Sequence, residues 1–165
     1  MGDYNTLALV LDKESRGEYG NLIHIFTKEL GRIEARTWGS RKIVSKLSPH
    51  LEPNFFSEIR LIEKNGFLIT DALREGKKNF SWEVLTILKN ISAPIEKNEE
   101  IWKKIEEGEM EKEFLLKHFG FDPKFSGCSI CGNFYPKVFY LKEQEFLCGN
   151  CLLSLKVPID EVIYI

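Results

Sequence analysis

The chain has four cysteines, and they fall in two pairs, Cys128-Ser129-Ile130-Cys131 and Cys148-Gly149-Asn150-Cys151, with sixteen residues between them. A Cys-x2-Cys gap lets two thiolates on one tight turn reach the same tetrahedral ion, and a second such turn across a short hairpin completes a four-sulfur shell. The local chemistry suits this arrangement. Gly127 and Gly132 flank the first pair, and Gly149-Asn150 sit inside the second, where positive φ and close backbone approach are cheap. Between them, Phe134 to Leu141 is rich in β-formers, Lys142-Glu143-Gln144 is polar, and Glu145-Phe146-Leu147 returns, as a hairpin requires. Two other readings stay open at this level. Disulfides would need an oxidising compartment, and no apolar signal segment opens the sequence. A redox pair would need a βαβ setting, which the pattern lacks. Four protein ligands leave no vacant coordination position, so the expected ion is structural Zn2+ rather than a catalytic metal.

Composition adds limits. With 165 residues, 43% of them hydrophobic, the chain holds one or two small domains with a real core. No apolar run reaches the length of a membrane span, so a soluble, cytoplasmic protein is expected. The net charge is −2, so any case for nucleic acid must be local.

The first half reads as strands. Thr6 to Leu11 is a short apolar run, Asn21 to Thr27 a second β-rich run, and Arg32 to Trp38 alternates clearly. In that third strand Ile33, Ala35 and Thr37 share one face, while Arg32, Glu34, Arg36 and Trp38 share the other. Gly39 to Pro53 is a basic loop with Arg41, Lys42 and Lys46. Phe55 to Glu63 and Phe67 to Ala72 follow, joined at Asn65-Gly66, a hairpin signal. Five short strands with a long third connection suit a closed OB-type barrel, although an SH3-like barrel or a small sandwich gives similar strings. From about Arg74 the pattern turns helical. Ser81 caps a helix that Ala93-Pro94 stops, Glu99 to Glu107 forms a second, and Glu109 to Phe119 a third ending at Gly120. The apolar tail Val162 to Ile165 is expected to dock on a core.

The best candidate functional surface is the cluster Arg32, Arg36, Arg41, Lys42 and Lys46 around Trp38, which Arg16 in the first barrel loop could extend. Cations on one rim can track phosphates, and an indole on the same face offers a base something to stack on. An ordinary solvated surface, with Trp38 packed beneath the helices, would read the same way. Catalysis finds little support. His24 sits on a strand between Leu22 and Phe26, and neither His50 nor His118 has a nucleophile at a recognisable spacing.

The order of these parts resembles the RecO family of recombination mediators. The resemblance rests on Asp12 to Glu18 (DKESRGE), Leu30-Gly31-Arg32, Trp38 to Pro53 (WGSRKIVSKLSPHLEP), and Phe114 to Phe121 (FLLKHFGF) leading into the two Cys-x2-Cys pairs. It implies an α+β protein: an N-terminal OB-fold DNA-binding domain over 1–73, then a helical domain over 74–165 with a four-cysteine zinc ribbon at 128–151. It further implies a DNA repair and recombination protein, not an enzyme, that responds to DNA damage in the bacterial cytoplasm at the nucleoid. Such a protein binds single- and double-stranded DNA, anneals strands, and works with RecR to help RecA load onto strands coated by single-strand-binding protein. Carried onto this sequence, the DNA-binding surface falls on Arg16, Arg32, Arg36, Trp38, Arg41, Lys42 and Lys46, and the metal ligands on Cys128, Cys131, Cys148 and Cys151. Two departures stand out: the helical region before the cysteines is shorter than is usual in RecO proteins, and little follows Cys151. The alternative is a zinc-stapled interaction adaptor of the recombination machinery with little DNA affinity of its own.

Overall fold

The first strand, β1 (Gly2–Ser15), is much longer than its apolar centre because it has a partner on each side. Its first half pairs antiparallel with β4 (Phe55–Glu63), from Gly2 opposite Glu63 to Leu9 opposite Phe56. Its second half pairs with β2 (Gly20–Thr27), from Ala8 opposite Thr27 to Ser15 opposite Asn21, with an irregularity between Val10 and Asp12 that bends the strand. β2 pairs with β3 (Gly31–Trp38), and β3 runs parallel to β5 (Phe67–Lys77) at Ala35–Phe67, Arg36–Leu68 and Thr37–Ile69. Since β4 and β5 also pair, the order β1-β2-β3-β5-β4 returns to β1 and the sheet closes into a barrel. Closure leaves no long sheet edge open to another chain.

The computed structural model describes residues 2–17, 20–38, 43 and 46–165. It is α+β and divides into two compact units, Met1–Met110 and Glu111–Ile165.

Inside the barrel, Ala8, Val10, Ile23, Ile25, Ile33, Ala35, Ile59, Leu61, Phe67 and Ile69 pack together. The connection between β3 and β4 contributes to this core: Leu47 and Leu51, on either side of a 3-10 turn at Ser48–His50, are buried among the same side chains. Part of the stretch that composition marks as a basic loop is therefore a plug. Lys13 Nζ holds it through Ser48 Oγ at 2.6 Å and Glu52 Oε1 at 2.5 Å, and Ser57 Oγ donates to the His50 carbonyl at 2.7 Å.

Leu9 and Phe26 are opposite each other and buried on the outer face, where α1 (Trp82–Ile91) lies against β1 and β2. Ser81 caps this helix by accepting from Val84 N, and its stripe of Val84, Leu85, Ile87 and Leu88 is buried. α2 (Glu99–Glu107) starts at Asn98, whose side chain accepts from Ile101 N, and stops at Gly108 with φ 76°. Trp102 of α2 stacks on Phe56 of β4, with ring centres 5.7 Å apart. The expected junction at 73/74 therefore lies inside β5, and 74–110 belong to the first unit. β4 needs a partner along its whole length, which carries β5 to Lys77, and the outer apolar face of β1 and β2 needs α1.

The second unit holds α3 (Lys112–His118), a 3-10 turn at Pro123–Phe125, and a sheet of order β7-β6-β8. β6 (Val138–Tyr140) and β7 (Glu145–Leu147) form the hairpin expected from sequence, and the tail strand β8 (Val162–Tyr164) adds to β6. Phe121, Phe139 and Phe146 pack ring to ring at 4.8 and 5.1 Å. α4 (Gly149–Leu155) follows Cys148 directly.

Gly31 shows why Leu30-Gly31-Arg32 stands where it does. Its φ is +67°, and a Cβ there would lie 1.9 Å from the Glu96 carbonyl oxygen, because the α1–α2 connection docks on the start of β3. Ile95 N donates to the Arg32 carbonyl at 2.9 Å, and Arg32 Nε donates to the Ser92 carbonyl at 2.8 Å. We predict that Gly31→Ala destabilises the first unit by about 2 kcal/mol or more, from left-handed backbone strain plus the clash; a urea midpoint equal to wild type would contradict this docking.

Candidate functional site

Two groups of sequence-predicted residues are brought together, one in each unit. In the second unit, the four cysteine sulfurs all lie within 4.8 Å of one another. None forms a disulfide, and Cys131 Sγ and Cys148 Sγ are 3.7 Å apart. Four thiolates around zinc at roughly 2.3 Å would have edges of roughly 3.8 Å, so the spacing fits a tetrahedral ion. The first pair sits on a turn closed by Gly132 N donating to the Cys128 carbonyl and Cys128 N donating to the Asn133 carbonyl, both at 2.8 Å. Gly132 takes φ 71° there. The second pair differs from the expected glycine turn. Cys148 is the residue before α4 and Cys151 lies in its first turn, while Gly149 is not in the left-handed region. A helix start serves the same purpose, because it presents residues three apart on one side.

The electrostatics of the four sulfurs also favour a cation. Burial disfavours the Cys128 thiolate, but the backbone N–H groups of Cys148, Cys131 and Ile130 overcome this and hold its pKa down to about 6. Cys151 is pushed up to about 12, first by its hydrogen bond with Cys131. Cys131 is also raised: the Asn133 amide works the other way, but the neighbouring sulfurs of Cys128 and Cys148 prevail. One thiolate beside three more sulfurs resists further ionisation unless a cation neutralises them.

In the first unit, Arg36 and Trp38 project outward from β3, as the alternation predicts, and Trp38 is 71% exposed. Trp38 pairs with Gly20, and Arg16 N donates to the Gly20 carbonyl at 3.1 Å, so Arg16 lies at the same end of the barrel. Lys46 precedes the plug residue Leu47 and is exposed. Neither Arg36 nor Lys46 has a carboxylate partner among the described residues, whereas Arg16 meets Glu14 at 3.2 Å. Arg32 stands apart. Six residues of strand, roughly 20 Å, separate it from Trp38, and its half-buried guanidinium bonds to Ser92. Arg41 and Lys42 lie outside the described residues.

A third grouping was not legible in sequence. Asp12, Glu14 and His24 place a ligand atom each within 4.8 Å of one another. The cation among them is Lys89 of α1, with Nζ 2.5 Å from Asp12 Oδ2 and 3.1 Å from Glu14 Oε1. His24 is buried, with Nε2 2.8 Å from Glu14 Oε1, but its Nδ1 has no hydrogen-bond partner among the described residues and stands 3.6 Å from Glu34. No local motif could reveal the cluster, because Lys89 is more than seventy residues from its partners.

Burial raises the pKa of Asp12, yet Lys89 and the Lys13 amide hold it below its ordinary value. Lys89, then His24, lowers Glu14. Burial disfavours the Lys89 ammonium, but the two carboxylates raise its pKa. Depressed carboxylates stabilise the fold above their ordinary pKa and lose that contribution as pH falls through the folded values. A raised lysine does so below its ordinary pKa and loses it as pH rises through the folded value. The pairing of α1 with β1 should thus be fully in force between about pH 5 and 10. Lys89→Met should cost about 1 kcal/mol on that plateau, a deficit that shrinks as acid protonates the two carboxylates; a deficit that stays constant as pH is lowered until the protein unfolds would contradict it.

No protein-family model matches the chain. Curated relatives do. The chain is 24% identical over 174 aligned positions to the DNA repair protein RecO of Alkaliphilus metalliredigens, an alignment covering 88% of this chain and 71% of that one. It is 37% identical over 59 residues to the DNA repair protein RecO of Dehalococcoides mccartyi, covering 36% of this chain and 23% of that relative's length. Both relatives carry the name DNA repair protein RecO; one is similar to this chain along most of its length, while of the other the chain spans less than a quarter.

Proposed function

We propose that the chain is a DNA repair protein of the RecO type, whose first unit binds single- and double-stranded DNA at the end of the barrel carrying Arg36 and Trp38. The closed order β1-β2-β3-β5-β4, with β3 parallel to β5, supports reading this barrel as OB-type. The observation that supports the reading best is an exposed indole beside a guanidinium with no acid partner among the described residues, with Arg16 at the same end of the barrel. Cations there neutralise phosphates and reduce repulsion between two strands, while the indole holds an unpaired base until it meets its complement. Annealing on this account is physical and needs no catalytic group. The protein would act with RecR, helping RecA load onto strands covered by single-strand-binding protein, at the nucleoid in the cytoplasm. No helix among the described residues is long and apolar enough to cross a membrane.

Cys128, Cys131, Cys148 and Cys151 would hold a structural Zn2+ on this reading. Bound there, the ion ties the turn before β6 to the start of α4 and links the ends of a small unit with few large core side chains. Metal-loaded protein should contain one zinc per chain and resist thiol alkylation. Cys148→Ser should lose the zinc and melt the second unit while the barrel's circular dichroism persists. Freely alkylated thiols in a protein of unchanged stability would contradict the assignment.

Binding is tested by anisotropy of a labelled oligonucleotide across a salt series. Arg36→Glu with Lys46→Glu should weaken binding and flatten the slope of log affinity against log salt by about 1 to 2. Trp38→Ala should weaken single-strand binding about tenfold and duplex binding much less. The net charge of −2 favours a second reading, an adaptor with little DNA affinity. Wild type that fails to bind at low salt yet co-elutes with a RecR-type partner would establish that one instead.

A further inference from the structure

We propose that the second unit carries its own contact for single-stranded nucleic acid, a stacking platform of Phe125, Phe134 and Tyr135 flanked by Lys124 and Lys137. This extends the DNA-binding reading above to a place where the barrel supplies none of the residues. The three rings are 88%, 85% and 79% exposed. Several other aromatic rings of the unit are buried or paired: Phe139 and Phe146 lie in the core, Phe121 packs on Phe139, and Phe114 lies against His118, while Tyr164 is 51% exposed. Phe125, Phe134 and Tyr135 have no ring or cation partner among the described residues, so their faces are free.

The rings are also held in place. Phe125 N donates to the Asp122 carbonyl at 3.1 Å, and Tyr135 N donates to Asn133 Oδ1 at 2.9 Å. The two short segments run side by side. Cys128 N donates to the Asn133 carbonyl, and a Cβ on Gly127 would lie 3.2 Å from that same oxygen, so glycine lets the backbones approach. Both segments are anchored on the first cysteine turn, so little backbone freedom remains to be lost on binding.

Charge selects the occupant. Lys124 and Lys137 are exposed, and their ammonium groups have no carboxylate partner among the described residues. The carboxylates close by in sequence or pairing are engaged, with Asp122 Oδ1 accepting from Lys124 N and Glu145 Oε2 from Ser129 Oγ. Free rings interleaved with free lysines match a strand of unpaired bases and phosphates. Duplex DNA hides its base faces, and the centre of a protein interface is depleted in lysine.

The test uses the full zinc-loaded chain and a labelled thymidine 20-mer, with 5-iodouracil photocrosslinking mapped by mass spectrometry. Crosslinks should fall on the peptides holding Phe125, Phe134 or Tyr135. The double variant Phe134→Ala with Tyr135→Ala should bind the 20-mer about tenfold more weakly, with duplex affinity and zinc content unchanged. Lys124→Glu with Lys137→Glu should flatten the salt slope. Unchanged 20-mer affinity in both double variants, with crosslinks confined to the barrel, would overturn the platform and leave the barrel reading standing. Failure of wild type to bind the 20-mer would overturn both. A protein partner lost from Phe134→Ala with Tyr135→Ala at unchanged 20-mer affinity would overturn it in favour of protein docking.

Discussion

The pairing of β3 with β5, parallel and only three residues long, is the constraint on which the first unit depends. Without it the five strands are a curled sheet with two edges; with it they enclose a core, and every outward side chain of β3 gains a fixed direction. Parallel pairing at that point forces the chain to cross the barrel end between β3 and β4, which puts Leu47 and Leu51 inside as a plug. Lys46 directly precedes the plug and is exposed.

The second unit solves a different problem. At about 55 residues by the division at Met110, it can bury only a modest core. Three phenylalanines and a few aliphatic side chains do that, and four sulfurs meet at one point where the turn at 128–131 faces the start of α4. Backbone hydrogen bonds at Cys128, Gly132 and Tyr135 hold the turn that carries Phe134 and Tyr135.

Much of this was legible in the sequence where the physics is local. Alternation put Ile33, Ala35 and Thr37 on one face and Arg36 and Trp38 on the other, Asn65-Gly66 marked the β4–β5 hairpin, and Ser81 opened a helix through its own cap. What escaped was long-range. Nothing near Arg32 announces that its guanidinium meets the Ser92 carbonyl, and nothing near Asp12 and Glu14 announces Lys89. The junction at 73/74 failed for the same reason, since helices that pack onto a barrel look in sequence like the start of something new. Phe134 was read as strand because aromatic residues favour strands, whereas the structure begins β6 only at Val138.

The central claim is that nucleic acid covers the outward face of β3 at the end of the barrel. Hydroxyl-radical footprinting of Trp38, with and without saturating oligonucleotide at low salt, tests it at the residue concerned. The account predicts that oxidation of Trp38, now 71% exposed, falls several-fold when the oligonucleotide binds and recovers when salt releases it. Trp38 oxidised at the same rate while the oligonucleotide is demonstrably bound would contradict it.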